Sequence, residues 1–263
     1  MMPPLSCSIA GARRLIVLAV IGLTLAFAPS AHAITGSRSA PGEAAARAVV
    51  TVIGSRGNVC TGAMITPQVV LTAAHCIAPG AAHRVIDYST TPPRLVTPRQ
   101  VATHPRYNAQ AMAAHRATAD VALLLLPSPV PGKAPAPLGA PRLPIVPGAM
   151  FTVVGIGVTS SAGDDVGTAR AAGLTVTGQP GTLQIRLVDP RTQNRAAGQG
   201  ACTGDSGAPA FEDQNGRSVI VGVVSWSTGP NNSDGCGGLT GVTPLTLYKD
   251  WIVQTARGWG AAL

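Results

Sequence analysis

Three short segments carry residue types that together can do acyl-transfer chemistry. Gly200-Ala201-Cys202-Thr203-Gly204-Asp205-Ser206-Gly207-Ala208-Pro209 presents one serine hydroxyl between residues too small to shield it. Such a hydroxyl is a poor nucleophile at neutral pH and attacks a carbonyl only when a base within hydrogen-bond reach takes its proton. Leu71-Thr72-Ala73-Ala74-His75-Cys76 offers that base in His75, flanked by alanines that permit close approach. Ala119-Asp120-Val121-Ala122-Leu123-Leu124 places a carboxylate at the mouth of an apolar run, where it would be desolvated and in need of donors. The His75 ring N–H is a candidate donor, and Asp120 would then fix the tautomer and stabilise the imidazolium without taking the proton. Each segment alone has a plainer reading: a core histidine, a turn aspartate before a strand, an ordinary Gly-Asp-Ser-Gly turn. Their occurrence together, in the order His, Asp, Ser, favours the chemical one.

The elements that must position these residues read as strands. Short β-branched runs recur between turn residues at 49–53, 69–71, 121–126, 151–154, 183–188 and 219–224, the pattern of an all-β sandwich or barrel. Residues 127–147 are crowded with proline, which removes ladder donors and fixes φ, so this stretch cannot be a central strand. It reads as a connector between two β units; a flexible linker is the alternative, although apolar strand residues resume at Met150. From Pro244 onward, Leu247, Trp251 and Ile252 share one side at helical spacing, which predicts a C-terminal amphipathic helix packed on the core.

The N-terminus reads as an export leader. Arg13 and Arg14 precede an apolar run over 15–28, followed by Pro29-Ser30-Ala31-His32-Ala33, whose small residues suit a signal peptidase. That run is shorter than the roughly 20 residues that span a bilayer, so a lasting membrane anchor is not expected. Cleavage after Ala33 would carry Cys7 away and leave Ile34–Leu263, 230 of the 263 residues, enough for one large all-β unit or two small ones sharing a core. Four cysteines remain, Cys60, Cys76, Cys202 and Cys236, an even number in an exported chain, which favours two disulfides with three possible connectivities. No Cys-x-x-Cys pair exists and the histidines are scattered, so zinc ligation is not supported. The net charge of +8 falls to about +6 without Arg13 and Arg14. Dispersed arginines and 3% aromatic residues describe a solvated basic surface rather than a nucleic-acid face.

With these motifs in this order, the chain resembles the trypsin-like (chymotrypsin-fold) serine proteases, as a secreted bacterial member. His104-Pro105-Arg106-Tyr107-Asn108 extends the likeness, resembling the segment ahead of the triad aspartate, with His104 structural. The resemblance implies two packed six-stranded antiparallel barrels with a C-terminal helix: residues 34–130 for the first, 131–147 for the connector, 148–263 for the second barrel and helix. It implies a His75, Asp120, Ser206 triad in the cleft between them, with an oxyanion hole formed by the N–H groups of Gly204 and Ser206. It implies disulfides Cys60–Cys76 and Cys202–Cys236, and activation by a new Ile34 amine pairing with Asp205. Gly222-Val223-Val224-Ser225-Trp226-Ser227 resembles the strand that pairs with substrate backbone and walls the primary pocket, Ser225 also bonding Asp120. Gly241 matches a second wall glycine, and Ser227 stands where the family usually has a glycine. Ala208 likewise replaces a second glycine. At the pocket floor, Gly200 and then Ala201 carry no charge, which argues against an Arg or Lys P1 preference and for an uncharged small-to-medium or hydrophobic P1 residue; Asp234, in a long loop over 228–235, is the alternative source of basic specificity.

The expectation is therefore a secreted serine endopeptidase acting on proteins or peptides as a monomer, with no metal or other cofactor. Asp87 lacks the partner carboxylates of a calcium loop. A catalytically silent binding protein on the same fold is disfavoured because all three triad residues are present. A lipase-type hydrolase is disfavoured by the triad order and the lack of a Gly-x-Ser-x-Gly elbow.

Overall fold

The structure, a computed structural model, describes residues 34–263 apart from 38, 39 and 115. The leader read over 1–33, Cys7 within it, and His115 lie outside the described residues.

Seven strands build the first half: Val49–Gly54 (β1), Val59–Met64 (β2), Val69–Thr72 (β3), His83–Asp87 (β4), Arg94–Val96 (β5), Gln100–Thr103 (β6) and Ala122–Leu125 (β7). They pair antiparallel in the order β5-β4-β1-β2-β3-β7-β6. Pro98 explains why there are seven rather than the six the resemblance implied. It has no N–H to give a ladder and biases the residue before it, so the run is cut into β5 and β6, which join opposite edges of the sheet. Only Thr97, Pro98 and Arg99 connect them, a reach of about 14 Å at most, so the two edges lie close together and the sheet is curled. Arg99 N–H then donates to Leu125 O at 2.6 Å, re-entering the ladder beside β7.

The second half forms a closed barrel from Met150–Gly155 (β8), Arg170–Gly178 (β9), Ile185–Val188 (β10), Pro209–Asp213 (β11), Ser218–Ser227 (β12) and Thr240–Pro244 (β13), in the order β10-β13-β12-β11-β8-β9. The six apolar runs all become strands. The strands that escaped that pattern carry glycine or proline where neighbours crowd them, or are short and polar. In β2, a Cβ on Gly62 would meet the Val70 and Val52 side chains; in β13, one on Gly241 would meet the Trp226 indole.

The proline-rich connector is packed, not free. Ala134 N–H donates to Arg47 O, Ala136 N–H to Met64 O, and Gly139 N–H and Ile220 N–H close a short parallel bridge around Leu138. Both disulfides have the expected connectivity, Cys60–Cys76 and Cys202–Cys236. Asp87 is not isolated: it accepts from Ser89 N–H and Arg94 at 3.0 Å each, Arg94 lying directly opposite on β5. The Ser89 hydrogen bonds foremost hold its carboxyl below the usual range.

After two short helices at Glu43–Ala48 (α1) and Ala109–Ala113 (α2), the C-terminal helix, Lys249–Gly258 (α3), follows a 3-10 turn at Leu245–Leu247. Its buried stripe is Leu245, Tyr248, Ile252 and Ala256, whereas Leu247 is exposed, because the turn precedes the helix and rotates Leu247 off the inner face. Trp251 is half-buried and, with Tyr248, receives His104 edge-on at ring separations of 4.9 and 5.0 Å. His104 thereby fastens the helix to the first sheet, and its Nδ1 accepts from Arg106 N–H at 3.2 Å.

Burial holds the pKa of both His83 and His104 below 6.5, with the Arg106 charge adding to the effect at His104. An unfolded chain therefore takes up protons near pH 6.5 that the native state refuses, so stability present above that pH is lost as pH falls. We expect the unfolding midpoint of the Ser206→Ala chain beginning at Ile34, followed by calorimetry, to drop from pH 7.5 to pH 5. A His83→Gln/His104→Gln variant, whatever its absolute stability, should drop less steeply, and parallel slopes would contradict this account.

Candidate active site

Asp120 sits at the end of the loop that enters β7, fully buried, and its two oxygens are satisfied from three directions. His75 backbone N–H donates to Oδ1 at 2.8 Å, His75 Nδ1 lies 2.7 Å from Oδ2, and the Ser225 hydroxyl donates to Oδ2 at 2.6 Å. Asp120 and His75 belong to the first sheet, Ser225 to β12 of the second barrel. With Nδ1–H pointed at the carboxylate, Nε2 of the neutral ring is left as an acceptor. His75 lies in a one-turn 3-10 segment, Ala74–Cys76, directly after β3, with its side chain 23% exposed. That suits a base that must be reached by a proton donor.

The Ser206 turn is brought to His75 by Thr61 of β2. Thr61 N–H donates to Ser206 O and its hydroxyl to Gly204 O, both at 2.8 Å, while that hydroxyl accepts from Ile156 N–H at 3.2 Å. Thr72 in turn donates to Thr61 O at 2.8 Å. Gly207, at φ +83, lies where any Cβ would strike Thr61 O and the Thr72 hydroxyl, so this contact demands glycine. Cys76 Sγ is 3.8 Å from His75 Nε2 and 3.7 Å from Ser206 O. As a disulfide sulfur it has no proton to donate, so these are packing contacts that set the His75 ring beside the serine turn. Ser206 itself is partly exposed. Gly204 adopts φ +93, and among the described residues neither its N–H nor that of Ser206 is taken by an internal acceptor. Thr61 and Thr72 were invisible to motif reading; their signal, two threonines on adjacent strands, is common in any sheet.

Asp205 is enclosed against Gly155 and Gly157. It is fully buried and accepts from Gly157 N–H at 2.8 Å and Cys202 N–H at 2.9 Å. Gly155 and Gly157 leave no room for a Cβ beside it. Burial pushes its pKa from 3.8 up to about 7, against the smaller opposing pull of the two N–H groups and Arg170. Ile34 is buried in the core of the second barrel with φ 54, a strained value for a β-branched residue. Thr35 follows it into a bridge with Gly200, whose N–H donates to Thr35 O at 3.2 Å. The Ala208 methyl lies in the same core and displaces nothing near Ser206.

A cleft of about 600 Å³ opens beside Ser225, lined by Trp226 and Ser227 together with Met112, Arg116, Arg186 and Asp234. The other residues assigned to the pocket lie behind it. Gly200 is buried against Gly237 and Gly238, Ala201 is buried with its N–H on the Thr240 hydroxyl at 2.9 Å, and Gly241 lies under the Trp226 indole, which occupies the space a Cβ would need. Among the described residues, the one His, Cys, Asp or Glu group compact enough to share an ion is Cys60, His75 and Cys76. Both of its sulfurs are spent in a disulfide and neither is a thiolate.

Comparison with known proteins gives the family of the chain. The family model described as Trypsin matches residues 33–252. Kallikrein-14 of Homo sapiens is 30% identical over 230 residues, covering 77% of this chain and 76% of its own. Snake venom serine protease rhinocerase 4 of Bitis rhinoceros is 28% identical, covering 81% and 83%. An uncharacterized peptidase of Corynebacterium glutamicum is 27% identical, covering 90% and 78%. Among solved structures, human heparin binding protein superposes with a TM-score of 0.66 at 23% identity, covering 88% of this chain and 100% of that one, which speaks for the fold alone. On these grounds the chain belongs to the trypsin family and is a serine endopeptidase.

Proposed function

We propose that the protein is a secreted, monomeric endopeptidase in which Ser206 attacks the scissile carbonyl, His75 Nε2 takes the serine proton and returns it to the leaving amine, and Asp120 holds the ring. The observation that carries this reading is the buried His75–Asp120–Ser225 network set beside a serine turn anchored by Thr61. The N–H groups of Gly204 and Ser206, uncommitted to any internal acceptor among the described residues, would receive the oxyanion. Its substrates are proteins or peptides, as for its protease relatives. Export fits the leader-like N-terminus, and among the described residues no helix is long and apolar enough to cross a membrane. An uncharged P1 residue fits the neutral Gly200 and Ala201. Asp234 lines the exposed cleft rather than a buried floor, so solvent weakens its claim to an Arg or Lys side chain.

Activation would come with cleavage before Ile34. Two observations support it: a buried Asp205 carboxyl raised to about 7 by desolvation, which a new cation would relieve, and the positive φ of Ile34, a constraint that vanishes when no residue precedes it. In the uncleaved chain the native state keeps the Asp205 proton that the unfolded state loses near pH 3.8, so its stability falls as pH rises from about 4 to about 7. A free Ile34 amine would cancel much of that loss.

Three results are expected. On casein and peptide substrates, Ser206→Ala should abolish turnover and fluorophosphonate labelling, Asp120→Asn should lower kcat by on the order of 10⁴, and Ser225→Ala by roughly ten- to a hundredfold, as for loss of one hydrogen bond to a charged group. Unimpaired hydrolysis by Ser206→Ala would remove the serine from the mechanism. In a P1-scanning library, Ala, Val, Leu or Phe should exceed Arg and Lys in kcat/KM; the reverse would hand specificity to Asp234. In a Ser206→Ala background, the melting-temperature advantage of a chain beginning at Ile34 over one extended by Met should widen from pH 4 to pH 7, and a constant gap would sink the Ile34–Asp205 pairing.

A further inference from the structure

The cleft beside Ser225 has a charge pattern that the triad does not use. Arg186 on β10 lies directly opposite Gly241 on β13, and Gly241 directly opposite Trp226 on β12. Directly paired residues project to the same face of a sheet, so a guanidinium and an indole flank a position without a side chain, their strands about 9.5 Å apart. From the first half of the chain, the short helix Ala109–Ala113 (α2) places Met112 Sδ 3.9 Å from the Ser225 hydroxyl. Just beyond it, Arg116 N–H donates to Ala111 O at 2.8 Å, and Arg116 lines the same cleft. Among the described residues neither Arg116 nor Arg186 pairs with a carboxylate, although Arg47, Arg94 and Arg170 do. Among the described residues Asp234 is the one acidic side chain lining the cleft, so two unpaired cations face one carboxylate there.

From this arrangement we infer that the cleft selects substrates with an acidic side chain, Asp or Glu, upstream of the scissile bond, at P2 to P4. The inference rests on the endopeptidase reading above. Direction follows from the sheet. Ser225 touches Asp120 and so marks the catalytic end of the 225–227 segment. A substrate strand paired antiparallel with it, as every strand of this barrel is paired with its neighbours, runs toward Ser206 as it goes from N to C. Residues reaching Ser227, Thr228 and the two arginines therefore precede P1. Guanidinium is the group best fitted to grip a carboxylate, through paired N–H donors, and the Trp226 face gives the substrate's aliphatic stem an apolar surface.

The test uses the mature chain and fluorogenic tetrapeptides with one fixed uncharged P1 residue and Glu, Ala or Lys at P2, P3 or P4. At low salt, kcat/KM for Glu should exceed that for Lys by about fivefold at one or more of these positions, the size of exposed charge contacts. The ratio should fall toward one in 1 M NaCl, where the Debye length is about 3 Å. Arg186→Glu and Arg116→Glu should each lower the Glu-to-Lys ratio, and the double variant should invert it. Arg217→Glu, in the exposed turn before β12, should keep the wild-type ratio. Equal turnover of Glu and Lys peptides by an enzyme that labels and cleaves casein overturns this inference alone, as does an acid preference confined to P1. A chain that neither labels nor cleaves overturns the triad assignment and this inference with it.

Discussion

One buried carboxylate constrains the whole assembly. A carboxylate removed from water without partners costs several kcal/mol, and Asp120 escapes that cost only because both halves of the chain contribute donors. Two come from His75 on the first sheet and one from Ser225 on the second barrel. Each hydrogen bond to such a charged group is worth about 1.5–3 kcal/mol, so the burial of Asp120, the aim of the His75 ring and the docking of the barrels are mutually dependent. Thr61 adds a second tie at the same seam. It fixes Ser206 and Gly204 through their carbonyls, and among the described residues their N–H groups meet no internal acceptor.

Small residues make this closeness possible. Gly207 admits the Thr61 and Thr72 oxygens, Gly155 and Gly157 admit the Asp205 carboxylate, and Gly241 admits the Trp226 indole. None of these positions could carry a Cβ without displacing what it faces. Composition alone suggests that a glycine-rich chain is loose; here the glycines mark the tightest contacts.

Legibility in the sequence followed from how local each signal was. His75, Asp120, Ser206 and the cysteines stand in contiguous motifs, so their grouping could be read before any fold was known, and the apolar runs that became β1, β3, β7, β8, β10 and β12 announced themselves by periodicity. The remaining strands did not: β2, β9 and β13 contain glycine and β11 begins with proline, residues that ordinarily mark turns, while β4, β5 and β6 are short and carry polar or charged residues. Pro98 could be seen as a break but not as the point where the chain crosses between sheet edges, which depends on pairing with β4 and β7. Thr61 and Thr72 act through contacts to residues more than a hundred positions away or on the neighbouring strand, and Leu247 could not be separated from Leu245 until the register of α3 was known. The pocket residues show the same limit: Gly200 and Gly241 were matched by position, yet what covers each is decided by Gly237 and Trp226.

The division of the proposed catalytic groups between the two halves has a consequence for how the protein is made. His75 and Asp120 are synthesised before the connector, whereas Ser206, the turn that displays it and Ser225 come only with the second barrel. A ribosome-bound chain carrying the first sheet alone therefore holds His75 and Asp120 without the serine that the proposed mechanism pairs with them. On the proposed mechanism, hydrolytic power arrives only when the second barrel has folded against the first sheet.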